Sequence, residues 1–101
     1  MANKMRAIHP GEVLRDEMEV LGLSANAFAK ALSVPTNRIT GILNEQRSIT
    51  ADTALRLGRY FGTSPDFWMG LQASHDVKKA REAVGKEIER TVKPGPLKLA
   101  A

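Results

Sequence analysis

Phe28-Ala29, Leu32, Val34, Ile39 and Ile42 constrain this chain more than any other feature, because their spacing suits only two short helices crossing steeply across a tight turn. At such a crossing only a small side chain fits between the two backbones, and Ala29 stands at that point. Phe28 and Leu32 flank it toward the core, and Val34 anchors the turn. Ile39 and Ile42 then fall where the second helix packs back on the first. Ser33 occupies a turn position where glycine is more usual, since the left-handed conformation costs a glycine nothing. The pattern is a helix-turn-helix from Ser24 to about Asn44.

The rest of the chain reads as further helices, giving an all-α, five-helix domain with almost no strand pattern. Helix 1 starts at Pro10, with Glu12 placed to reach back to the chain entry and Ile8 to staple onto Val13, and Gly22 ends it. Val13, Leu14, Met18 and Leu21 form its buried stripe, while Asp16, Glu17 and Glu19 make an acidic outer side. Ser24 caps helix 2, with Leu23 and Phe28 as a second staple. Helix 3 begins near Pro35 or Thr36, with proline where a capping side chain is usual. Thr50 caps helix 4, whose expected core face is Ala54, Leu55, Leu57 and Phe61, and Gly62 stops it. Ser64-Pro65-Asp66 opens helix 5. Val77, Ala80, Val84, Ile88 and Val92 keep helical spacing there, so the helix either runs past Gly85 or is followed by a separate short one. Pro94-Gly95-Pro96 then blocks regular structure, and the sequence predicts a flexible tail over Leu97 to Ala101.

With Ile39, Ile42 and Leu43 buried, helical geometry turns Thr36, Asn37, Thr40, Gly41 and Asn44 outward. That face is small and polar, so the helix can enter a DNA major groove closely, where Asn pairs bidentately with adenine and Thr meets a thymine methyl or a base edge. Arg38 lies to the side, toward a phosphate or a guanine. Ser24 and Lys30 near helix 2, and Arg47 after helix 3, are the expected phosphate contacts, aided by the donors at the helix 2 N-terminus. Exposed Thr and Asn also occur on purely structural bundles, so the spacing of the two helices carries this reading more than the polar face does.

The 101 residues, 43% of them apolar, suffice for one compact core. Cysteine is absent, which removes disulfides, thiolate metal sites and cysteine nucleophiles. No export signal follows the opening residues and no apolar run is long enough to span a bilayer, so the expected location is cytoplasmic, without a membrane partner. The net charge of +4 favours polyanions in general. More telling, Val20 to Gln46 contains only Glu45 as an acid. Catalysis is not expected. The two histidines, His9 and His75, have no second ligand or nucleophile at diagnostic spacing, phosphate-binding glycine loops are missing, and no cofactor or metal is implied.

Several segments, in order, resemble one family over most of the chain. They are His9-Pro10-Gly11-Glu12, Ala29-Lys30-Ala31-Leu32 with Val34, Arg38 to Asn44, Ile49 to Leu57, and Phe61 to Trp68 with Leu71-Gln72. This order resembles the HigA-type antitoxins of the phage-repressor-like (XRE) helix-turn-helix group, and the fold implied is lambda-repressor-like. The resemblance implies a homodimeric antitoxin that neutralises a ribosome-dependent mRNA endonuclease toxin and represses its own operon at a palindromic operator in double-stranded DNA. Ser33 and a basic stretch after Gly85 depart from the pattern. A stand-alone XRE-type transcriptional regulator without a toxin is the alternative. A pure protein-interaction module would tolerate acids on the recognition face, which carries none.

The expected layout is an N-terminal arm over 1–8, a helix-turn-helix domain over 9–85 ending in a dimerisation helix, and a basic tail over 86–101. Two such domains related by a two-fold axis can grip half-sites about 34 Å apart. Phe67, Trp68, Met69 and Leu71 are the expected seam, although Phe67, Trp68 and Leu71 equally suit closing the core, which leaves Met69 as the strongest interface residue.

Overall fold

The computed structural model describes residues 6–97 and 99. Five helices follow one another: α1 (Pro10–Leu21), α2 (Ala25–Leu32), α3 (Thr36–Leu43), α4 (Ala51–Phe61) and α5 (Pro65–Thr91), with no strand among the described residues. Residues 1–5 of the expected arm, and Lys98, Ala100 and Ala101 of the expected tail, lie outside the described set.

Each helix is closed by local chemistry. His9 caps α1 through Nδ1, which accepts from the Gly11 amide at 2.9 Å, while Glu12 reaches back to accept from the His9 amide at 3.3 Å. The amides of His9 and Gly11 are thereby both satisfied. Arg6 grips the same carboxylate at 2.6 and 2.7 Å and holds Glu12 down at about 2, with burial opposing and the His9 amide assisting. Ser24, Thr50 and Ser64 cap α2, α4 and α5. Gly22 and Gly62 end α1 and α4 in the left-handed region.

Ser33 takes that same conformation, φ +58°, without being glycine. Its amide donates to Lys30 and that of Val34 to Ala29, a Schellman closure that turns the chain sharply into α3. Glu45 repeats the device at the end of α3, with φ +60° and the amides of Glu45 and Gln46 donating to Ile42 and Gly41. Pro35 offers α3 no side-chain cap. Instead the Thr36 hydroxyl donates to Asn26 Oδ1 at 2.8 Å and ties the first turn of α3 to α2.

The core gathers Leu14, Met18, Phe28, Ala29, Leu32, Ile39, Ile42, Ile49, Ala54, Leu57 and Trp68. Ala29 is buried there, in a close-packed interior where a longer side chain would have to displace its neighbours. Two expectations need correction. Leu55 is 61% exposed, because the inward stripe of α4 runs through Ala54, Leu57 and Gly58, and residue 55 lies a helical step away from it. Leu21 also faces outward, since α1 buries only Leu14 and Met18 of its proposed stripe, with Val13 partly covered.

Gly11 explains why α1 sits so close to α3. A Cβ there would lie 2.1 Å from the Ile42 carbonyl oxygen, which is backbone and cannot move aside alone. α5 is continuous through Gly85, so the boundary drawn at 85 falls inside a helix that extends to Thr91. The Arg81 side chain lies over Gly85.

Two substitutions test these closures by urea or thermal unfolding. Ser33→Gly removes the left-handed strain and should stabilise the fold by about 1 kcal/mol, a rise of roughly 4–8 °C in Tm for a domain of this size. Gly11→Ala should destabilise it by on the order of 3 kcal/mol, because α1 and α3 must separate.

Candidate nucleic-acid interface

The burial of Ile39 and Ile42 fixes the rotation of α3 about its axis, and so decides what faces outward. Asn37 and Asn44 are exposed, while Thr36, Thr40 and Gly41 are half-buried at the surface. The Thr40 hydroxyl approaches the Asn37 carbonyl at 3.4 Å, and Thr36 is held by Asn26 as described. Asn37 and Thr40 therefore stand on one polar strip, with Thr36 at its start and Asn44 at its end.

Gly41 also makes room for a neighbour. Its missing side chain leaves room for the stem of Arg47, whose Cδ and Cβ would sit 3.1 and 3.3 Å from a Cβ at position 41. Arg47 thus lies along α3 although it belongs to the following loop. Lys30 and Ser24 are exposed beside α2, and the Ser24 hydroxyl accepts from the Ala27 amide at 3.1 Å.

Arg38 has a partner within the chain. Its guanidinium lies 2.5 Å from Asp52 in the first turn of α4, so without DNA its nearest anion is an internal carboxylate. Asp52 also takes Arg56 at 2.9 Å, and Arg56 donates to the carbonyls of Leu32 at 2.9 Å and Ser33 at 3.2 Å. Hydrogen bonds from Arg56 first, and Arg38 second, hold the Asp52 carboxyl below the usual carboxylate range. α4 thereby clamps the end of α2 and the side of α3 at once. Arg15 performs a similar task from α1, donating to the Leu43 carbonyl at 2.8 Å at the end of α3. Sequence reasoning missed Asn26, Arg15, Asp52 and Arg56. Only the last pair left a signal, being an acid followed four residues later by a base on one helix.

The expected seam on α5 divides. Phe67 is 48% exposed and Met69 is exposed, so both remain on the outside. Trp68 is 2% exposed, stacks near Phe61 and donates to the Thr63 hydroxyl at 3.0 Å, while Leu71 is half-buried against the core. Trp68 therefore closes the chain's own core and presents nothing to a partner. Its indole is large, and the four-residue step to Gln72 keeps both on the inward face.

His9 and His75 meet edge to face, with ring centroids 4.9 Å apart. Burial, and then the neighbouring His75, push the His9 pKa down. His75 Nδ1 lies 3.2 Å from Asp76 Oδ1. Among the described residues no three His, Asp or Glu side chains converge as a metal cage, and no helix is long and apolar enough to cross a membrane.

A family model described as Helix-turn-helix matches residues 14–68, more than half of the chain. Virulence-associated protein I of Dichelobacter nodosus is 56% identical over 81 residues, 79% of this chain and 75% of that protein. A Coxiella burnetii structure described as an addiction module antidote protein of a HigA family superposes with a TM-score of 0.88 at 56% identity, covering 90% of this chain and 100% of that one. The Pseudomonas aeruginosa antitoxin HigA, solved with the higBA promoter, gives 0.85 at 49% identity over 88% of this chain and 98% of its own. The chain belongs to the XRE (phage-repressor-like) helix-turn-helix family, in its group of HigA-type antitoxins.

Proposed function

We propose that this protein is the antitoxin of a type II toxin–antitoxin module, a homodimer that binds a palindromic operator, represses its own operon and neutralises a partner mRNA endonuclease. The observation that carries the DNA-binding part is the exposed Asn37 on a helix whose rotation is fixed by two fully buried isoleucines, in a chain half-identical to an antitoxin solved with promoter DNA. Asn37 and Thr40 read base edges in the major groove, with Thr36 and Asn44 bounding the strip. Gly41 keeps the helix surface low and seats Arg47. Ser24, Lys30 and Arg47 meet phosphates and set the register. Arg38 reaches a phosphate with its remaining N–H donors or by giving up Asp52.

Dimerisation follows from the size of the reading head. One recognition helix covers a few base pairs, and a second copy about 34 Å away doubles the reach and matches a palindrome. Met69 and Phe67 on the outer side of α5 form the seam in this reading. Repression needs only that the occupied operator overlap the promoter. The working compartment is the cytoplasm, where that DNA lies.

The function is tested by expressing the protein beside the product of the adjacent reading frame and supplying its own upstream DNA. Rescue of growth from that product, together with binding of the upstream duplex, is the expected result. DNA binding without rescue establishes a stand-alone regulator instead. On the operator, Asn37→Ala should lose about 1–3 kcal/mol of discrimination at one position of each half-site, read by competition with singly substituted duplexes. An equal loss against every sequence would remove Asn37 from the base-reading set.

A further inference from the structure

Gln72 is a buried amide that the reading of the DNA surface leaves without a task. It is 5% exposed on the inward face of α5, two helices away from the recognition strip. Its Oε1 accepts from the backbone amide of Ile49 at 2.7 Å, and its Nε2 donates to Asp76 Oδ1 at 2.9 Å. Asp76 is in turn approached by His75, and hydrogen bonds from His75 first and Gln72 second hold its carboxyl below the usual range. The amide orientation is therefore determined: the carboxylate end takes the NH2 group, and the carbonyl oxygen is left facing Ile49.

Ile49 ends the loop that carries Arg47. Its side chain is buried in the core, which fixes where the residue sits but not how the peptide plane before it is turned. That plane contains the Ile49 N–H and the Ser48 carbonyl, and its rotation sets the direction in which residues 47 and 48 leave the core. Ile49 precedes the N-cap Thr50, so its amide has no partner within α4. Gln72 supplies the acceptor. At the other end of the loop the amides of Glu45 and Gln46 are tied back to α3. Arg47 lies between these two fixed ends, with its stem on Gly41.

We propose that Gln72 is a positioning residue for DNA binding: by holding the Ile49 amide from α5, it fixes the loop that lays Arg47 along the recognition helix toward the phosphate backbone. The proposal rests on the DNA-binding reading above and deepens it. It assigns to α5 a role in shaping the DNA contact as well as in pairing the subunits. Arg47 makes the contact and Gln72 acts through it.

The test uses the full chain, a duplex from the stretch immediately upstream of its own gene, and titrations over a range of salt concentrations. Gln72→Met keeps the length and removes both hydrogen bonds. The Gln72→Glu chain also carries Asp76→Asn, so that no second carboxylate faces Asp76, and it keeps an acceptor for the Ile49 amide with an amide donor at position 76. Arg47→Ala should flatten the salt dependence by about 0.9 in log–log slope per subunit, about 1.8 for a homodimer that loses one phosphate contact on each half-site. Gln72→Met should weaken binding by on the order of tenfold, the effect of orphaning a buried amide that orders a contact, with a similar flattening. Arg47→Ala added to Gln72→Met should then change little, and Gln72→Glu should bind as the natural chain does. Exchange of the Ile49 amide hydrogen should quicken in Gln72→Met and not in Gln72→Glu, while circular dichroism confirms that both remain helical. If Gln72→Met lowers Tm but leaves affinity and slope intact, or if its effect and that of Arg47→Ala simply add, the positioning role is overturned and Gln72 is only structural. A natural chain that does not bind the duplex removes the DNA-binding reading itself, and this proposal with it.

Discussion

The guanidinium of Arg56 on the carbonyls of Leu32 and Ser33 holds the geometry on which the outer surface depends. A chain that turns through φ +58° at a serine stores strain of about 1 kcal/mol, and the last carbonyls of α2 would otherwise need water. Arg56 satisfies those carbonyls from α4 and anchors itself on Asp52, which also takes Arg38 of α3. One carboxylate therefore links three helices across the turn. The pairs are largely exposed and each contributes little alone, but a shared partner reduces the ordering cost of the second arginine. The angle between α2 and α3 rests on this bracket outside and on Ala29 inside.

This bracket changes what the net charge of +4 means. Arg6 is engaged by Glu12, Arg15 by the Leu43 carbonyl, and Arg38 and Arg56 by Asp52. Those four arginines organise the protein. The exposed cations of this region are Lys30 on α2 and Arg47 in the loop after α3, and Glu45 is the acid of the same loop. The electrostatic character of that face comes from the placement of two or three side chains and from the scarcity of acids, more than from the overall balance. The acidic groups instead line the outer side of α1, where Asp16, Glu17 and Glu19 are exposed.

Most of the architecture was legible because each helix announces its ends locally. Ser24, Thr50 and Ser64 as caps, Pro10 and Pro65 at helix starts, and Gly22 and Gly62 at helix stops act within a few residues, which is the range sequence patterns carry. The helix-turn-helix was legible for the same reason, since Ala29, Ile39 and Ile42 meet across a short turn. What escaped depends on partners distant in sequence. Gly11 is required by a carbonyl thirty-one residues later, Arg15 reaches Leu43, and Gln72 reaches Ile49. Glu45 takes a left-handed conformation that composition assigns to glycine or asparagine, and nothing local marks it. The ion pair of Arg38 with Asp52 escaped because the position of Arg38 on α3 was legible and its partner on α4 was not. The apolar residues in the first turns of α5 were legible, but only the packing showed that Trp68 turns inward while Phe67 and Met69 stay outside.

The far half of α5 has its own energetic problem. Beyond His75 the helix leaves the core, and Val77, Val84 and Ile88 recur on it as exposed apolar residues at helical spacing. Glycine at position 85 costs such a helix about 1 kcal/mol relative to alanine, and pairs such as Lys79 with Glu82 and Arg90 with Glu87 return only a few tenths each. A solvated helical extension of this length is marginal by itself. In the homodimeric reading, a second copy laid along the valine and isoleucine stripe buries apolar surface on both chains at once, which offsets the glycine and stiffens the extension. Gln72 lies at the root of that extension, where the same helix holds the loop carrying Arg47. Rigidity gained by pairing along α5 would then reach the phosphate contact through one amide, so that the dimer and the reading head are ordered by a single helix.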